Sequence, residues 1–93
     1  MAKEYEIMLV FSVKESEEAA QALLQKFKDL IEKHGTLGEV DEWGRRKLAY
    51  LINDEPEGYY AVVNYSAEPD FPAELERRLK ITDGVLRFLN IAK

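Results

Sequence analysis

The chain has 93 residues and no cysteine, with 46% hydrophobic and 33% charged side chains. That length suits one compact domain over residues 1–93 and leaves no room for two. The lack of cysteine excludes a disulfide framework and a thiolate metal site, and is compatible with a reducing cytoplasm. The longest uninterrupted apolar run, Ile7 to Phe11, is far shorter than the roughly 20 residues needed to span a bilayer. The first residues also lack a basic-then-apolar signal pattern. A cytoplasmic protein with no membrane partner is therefore expected. With 13 basic and 18 acidic residues the net charge is −5, and a diffuse field of that sign repels polyphosphate. Distribution qualifies the sum, because Arg45, Arg46, Lys47, Arg77, Arg78 and Lys80 place almost half the positive charge in two short segments.

In chain order, Tyr5, Ile7, Leu9 and Phe11 alternate with Glu6, Met8 and Val10, the period of a strand. Met8 and Val10 make its second face apolar too, so it is expected to be central in its sheet. Ser16 then offers a helix N-cap, with Glu17 and Glu18 in the first turn, where the helix dipole favours negative charge. Ala20, Leu23, Leu24, Phe27, Leu30 and Ile31 recur at spacings of three and four as a buried stripe. His34 and Gly35 close that helix.

Thr36 to Ile52 has no helical stripe. Val40, Leu48, Tyr50 and Ile52 share one parity, which predicts a long strand, and Gly44 inside it is a candidate bulge across which parity need not carry. Asn53 to Gly58 is a turn by composition, and Tyr59 to Ser66 a returning strand. Pro69, Asp70 and Pro72 open a second helix, with Asp70 or its neighbour as cap. Leu75 and Leu79 face its core side, and Asp83-Gly84 ends it. Val85 to Ile91 is a final strand, apolar on both parities.

The order strand, helix, strand, strand, helix, strand is the α+β, ferredoxin-like pattern β-α-β-β-α-β, in which two helices cover one face of a four-stranded antiparallel sheet. Right-handed crossovers place the first and third strands in the middle. The other face has no layer of its own. Met8, Val10, Tyr60 and Val62, with some of Leu86 and Phe88, are expected on it, and an uncovered apolar patch of that kind marks a partner surface.

Catalytic chemistry is poorly represented. His34 is the one histidine, and its place at a helix C-terminus suits a dipole contact better than a general base. No second histidine or cysteine completes a zinc site, and no acidic loop has calcium-site spacing. Asp41-Glu42 and Asp54-Glu55 are adjacent pairs, which on a strand point to opposite faces. No glycine-rich phosphate loop is present. Acylphosphatase shares this architecture and uses an arginine in the loop after the first strand, where this chain reads Ser12-Val13-Lys14-Glu15-Ser16. The expectation is a protein without enzymatic activity, cofactor, metal or small-molecule substrate. An RNA-recognition motif would carry its aromatic signature on the third strand. Gly58-Tyr59-Tyr60 begins that way, but Ala61 to Tyr65 does not continue it. The run Arg45-Arg46-Lys47 is as readily a solvated strand segment pairing with Glu39, Asp41 and Glu42 as a phosphate contact.

Trp43-Gly44-Arg45-Arg46-Lys47-Leu48-Ala49-Tyr50, followed by a turn and Glu57-Gly58-Tyr59-Tyr60, resembles the most characteristic stretch of the bacterial small-subunit ribosomal protein S-six family. Tyr5-Glu6 near the start and Leu79-Lys80-Ile81-Thr82-Asp83-Gly84-Val85-Leu86-Arg87 near the end are similar to the same family, in order and over nearly the whole chain. The resemblance implies a structural constituent of the small ribosomal subunit that binds small-subunit ribosomal RNA together with ribosomal protein S-eighteen. Arg45, Arg46 and Lys47 match the family's basic motif, and Arg87 an arginine common in its last strand. The resemblance therefore implies RNA or partner contacts at these four. The alternative is a small ferredoxin-like regulatory or oligomerisation module that self-associates through its open face, without RNA function.

Overall fold

A computed structural model describes residues 2–52 and 55–93, with residues 49–52 described by backbone alone. Six elements follow in the expected order: β1 (Lys3–Ser12), α1 (Glu17–His34), β2 (Gly35–Ile52), β3 (Glu55–Ala67), α2 (Phe71–Lys80) and β4 (Val85–Ala92). The strands form one sheet in the order β2-β3-β1-β4, every pair antiparallel. β1 and β3 are thus central, as the crossover rule requires.

Local chemistry explains the helices. Ser16 is extended (φ −172°), and its hydroxyl accepts the Ala19 N–H at 3.0 Å, satisfying one of the unpaired donors of the first turn of α1. Ala20, Leu24, Phe27 and Ile31 form the buried stripe of α1, and Phe71, Leu75 and Leu79 that of α2. Asp70 stands at the cap position of α2 but makes no side-chain cap hydrogen bond; Pro72 in the first turn supplies the fixed φ instead. α2 ends three residues before Asp83, because the Thr82 hydroxyl donates to the Arg78 carbonyl at 2.6 Å and takes up a last-turn acceptor. Gly84, at φ +95°, turns the chain into β4.

Both helices cover one face of the sheet. Ile7, Leu9 and Phe11 of β1 and Tyr59, Ala61, Val63 and Tyr65 of β3 point into that layer and pack on the two helical stripes. No charged or polar side chain is buried among the described residues. The Tyr65 hydroxyl reaches Asn90 of β4 at 2.9 to 3.1 Å, and burial pushes the phenol's pKa above its ordinary value.

Gly35 ends α1 and begins β2 with no loop between. Its φ of −169° is open to any residue, so the requirement is space: a Cβ there would overlap the Ser66 carbonyl oxygen and touch Ala67. The backbone it meets is locked in the β2–β3 ladder, where Gly35 pairs with Ala67. Gly35→Ala is expected to lower stability by about 1–3 kcal/mol, the usual cost of overpacking. A lowered urea midpoint at unchanged slope checks this.

Two expectations change in the sheet, those for the start of β3 and for the faces of β4, and the candidate bulge at Gly44 is present. β3 begins at Glu55 and not at Tyr59, because Gly58 already pairs with Ser12 on one side and Arg46 on the other. The middle of the expected turn, Asn53 and Asp54, lies outside the described residues. In β2, Glu42 pairs with Ala61 and Gly44 with Tyr60, so Trp43 is an extra residue in a bulge at Gly44, whose φ is +78°. Val40, paired with Val63, therefore faces the helices, whereas Leu48 faces the other way toward Val10 and Gly58. In β4, Phe88 pairs with Leu9 and packs on the core, and a register shift sets Leu86 apart from the ladder. The residues that β4 places on the uncovered face are Arg87, Leu89 and Ile91, opposite Val10, Met8 and Glu6.

Candidate nucleic-acid interface

The uncovered face is built in cross-strand rows. One row runs Arg87, Val10, Tyr60 and the Gly44 bulge, and the next Leu89, Met8, Val62 and Asp41. Val10 is only 1% exposed despite lying on this face. Its neighbour Gly58 has no side chain, so Val10 fills the space where a Cβ would come within 2.6 Å of its Cγ1, beside Leu48. Outside that small packed centre, Leu89 and Ile91 are each 47% exposed and Trp43 46%. Near the β4 edge, then, the face is an apolar strip of Met8, Val62, Leu89 and Ile91.

The β2 edge is different in character. The bulge carries Trp43 out of the ladder, and the indole lies parallel to the Tyr60 ring at 6.2 Å between centroids and 8° between planes. Its Nε1–H donates to the Asp41 carboxylate at 3.0 Å, which fixes the ring's rotation. Trp43, Tyr60, Arg46 and Lys47 line a shallow hollow of about 550 Å³.

The four residues singled out from the sequence are not one cluster. Arg46 pairs with Gly58 on the uncovered face and lines the hollow; Lys47, paired with Glu57 on the other parity of β2, also contributes to its lining. Arg45 shares the parity of Lys47 and sits beside Tyr59, where its Nε donates to Glu57 at 2.8 Å. That pairing replaces the expected one with Glu39, Asp41 and Glu42. Arg87 is on β4, three strand spacings from β2, or roughly 14 Å across the sheet. Leu89 and Ile91 were not singled out, since β4 is apolar on both parities and only the pairing with β1 decides which side is exposed. Trp43 carried a sequence signal, a large aromatic beside a bulge glycine and a basic run.

The second basic segment serves its own helix. Glu74 accepts from Arg77 at 2.6 Å and from Arg78 at 3.0 Å. The hydrogen bonds from Arg77 and then Arg78 hold its carboxyl down at about 2. A depressed carboxylate adds stability above its unfolded pKa, near 4.5, and loses it as pH falls through about 2. The group is solvent-exposed, so the effect is small and screened by salt. Glu74→Gln is expected to flatten the melting temperature between pH 4.5 and 2, an effect fading in high salt; thermal melts across pH at two salt concentrations check it.

No group of three or more His, Cys, Asp or Glu among the described residues could hold a metal ion, and no described helix is long and apolar enough to cross a membrane.

Similarity to known proteins extends over the whole of this architecture. The family described as Ribosomal protein S6, the S-six family, matches residues 4–92. Small ribosomal subunit protein bS6 of Clostridium novyi is 52% identical over 88 residues, covering 94% of this chain and 93% of the relative. The protein of the same description from Thermoanaerobacter pseudethanolicus is 50% identical over 90 residues, covering 96% and 95%. In three dimensions the crystal structure of 30S ribosomal protein S6 from Thermotoga maritima superposes with a TM-score of 0.92 at 27% identity, covering 100% of this chain and 89% of that one. With fold, motif order and length all in agreement, the chain belongs to the ribosomal protein S6 family of the small ribosomal subunit.

Proposed function

We propose that this protein binds small-subunit ribosomal RNA together with ribosomal protein S-eighteen, with Arg45, Arg46, Lys47 and Arg87 contacting RNA or that partner, and that residues 1–93 act as one domain. Proteins of this family are structural constituents of the bacterial 30S subunit in the cytoplasm. The observation that carries the reading is the division of the uncovered face: cations beside an exposed tryptophan at the β2 edge, and a bare apolar strip toward β4. Cations position a phosphate backbone, and apolar surface supplies protein–protein affinity. In a chain of net charge −5, so few phosphate contacts give weak RNA binding alone, and a basic partner supplies the remainder.

A salt titration of binding to a small-subunit ribosomal RNA fragment tests this. Log affinity of the complex with S-eighteen is expected to fall linearly with log salt. The second reading, a self-associating module, is favoured by the exposed Leu89 and Ile91. A salt-independent homodimer with no RNA affinity beside the partner would establish it instead.

A further inference from the structure

We infer that Trp43 is a stacking platform for one unpaired RNA base, with Arg46, on the same face of β2, contacting the adjacent phosphate and Lys47 adding positive charge to the hollow. This rests on the RNA-binding reading above and deepens it by naming a recognition element.

The bulge creates the platform. Without the extra residue, β2 would place a side chain in the pleat opposite Tyr60; with it, the position opposite Tyr60 falls to Gly44, where even a methyl group would meet nothing within 4 Å. Trp43 is thereby free to lie over the sheet. One side of the indole is occupied by the Tyr60 ring, nearly parallel to it, and its edge is tied to Asp41 through Nε1. A tryptophan fixed at one face and one edge has little conformational entropy left to lose on binding, yet 46% of it is exposed. A large apolar surface held rigid and left bare is suited to a flat aromatic ligand.

Charge selects among flat ligands. Among the described residues, the hollow over the ring is lined by Trp43, Tyr60, Arg46 and Lys47, two aromatic rings and two cations. Asp41 holds the edge of the indole and keeps its negative charge, but it is not among the residues lining the hollow, and Glu57 is paired with Arg45. The chemistry the hollow offers is therefore a π surface with positive charge beside it, the combination that binds single-stranded nucleic acid through base stacking and backbone contacts. A volume of about 550 Å³ is ample for a nucleotide. The apolar residues that would favour a protein side chain, Leu89 and Ile91, lie on the far strand.

Trp43 is the chain's one tryptophan, so its emission reports on the site directly. At low salt the protein is titrated to millimolar concentration with an eight-nucleotide oligoadenylate and with an abasic ribose-phosphate oligomer of equal charge. Quenching by oligoadenylate but little by the abasic oligomer is expected. By anisotropy of the dye-labelled oligoadenylate, Trp43→Ala is expected to weaken binding about tenfold or more, while Trp43→Phe keeps affinity within about threefold. Equal binding of both oligomers, with no quenching and no loss in Trp43→Ala, overturns the stacking inference and leaves RNA binding through phosphates standing. Absence of quenching by either oligomer, with a shift in emission when the protein partner alone is added, overturns it in favour of a protein occupant. Failure of the ribosomal RNA fragment to bind even beside the partner is the separate result that removes the RNA reading itself.

Discussion

Phe27→Ala is expected to cost about 3–5 kcal/mol, the largest stability loss among the substitutions proposed for this chain. Phe27 is 2% exposed in the middle of the α1 stripe, stacked on Phe11 of the central strand at 6.4 Å between ring centroids. It joins the two layers. Its truncation removes apolar area from the core and leaves a cavity bounded by sheet residues that are fixed in their ladder and cannot close over it. A domain of this size has a total stability of about 5–14 kcal/mol, so the variant gives up a large share of it. Equilibrium urea unfolding checks the value, with a much lower midpoint at unchanged slope. Leu89→Ala is the internal contrast. Leu89 is also apolar and lies on β4, but it is 47% exposed, and its loss is expected to change stability by less than about 0.5 kcal/mol. The two variants separate the apolar residues that hold the fold from those that face outward.

Simultaneous replacement of Arg45, Arg46 and Lys47 by serine is expected to leave the fold intact and weaken the RNA complex at least tenfold near physiological salt. None of the three is buried, so among the described residues folding loses the exposed Arg45–Glu57 pair, worth at most about 1 kcal/mol. Binding loses up to three phosphate contacts, each contributing nearly one unit to the slope of log affinity against log salt. The slope is expected to become shallower by about two to three units. The single variants have a predicted order. Arg46→Ser weakens binding more than Arg45→Ser, since Arg46 faces the hollow while Arg45 is held by Glu57 at 2.8 Å. The same loss from both single variants would mean that the ion pair opens on binding.

Element order, the Ser16 cap of α1 and the buried stripes were legible in the sequence because each is local, whereas Asp70, expected to cap α2, makes no side-chain cap hydrogen bond. Ser16 caps α1 by a contact three residues away, and the spacing of Leu24, Phe27 and Ile31 is the helix period itself. Gly44 flagged the bulge. What local pattern could not show was the consequence of strand pairing: that the extra residue is Trp43, with Val40 on the helix side and Leu48 on the opposite face. β4 is the same case, for its apolar residues fit either face until Leu9 pairs with Phe88 and Met8 with Leu89. Gly35 was legible as a helix stop, but the reason for it, contact with Ser66 on a strand 31 residues away, is tertiary. The basic run was visible as chemistry, and its division between Arg45 on one side of the strand and Arg46 on the other follows from register alone.

The most direct test of the proposed role is the affinity of the chain for a small-subunit ribosomal RNA fragment, measured with and without ribosomal protein S-eighteen at the same salt concentration. Weak binding by the chain alone is predicted, with a tight, salt-sensitive complex when the partner is present. Equal affinity in the two conditions, or no association with the RNA even beside the partner, would contradict that role.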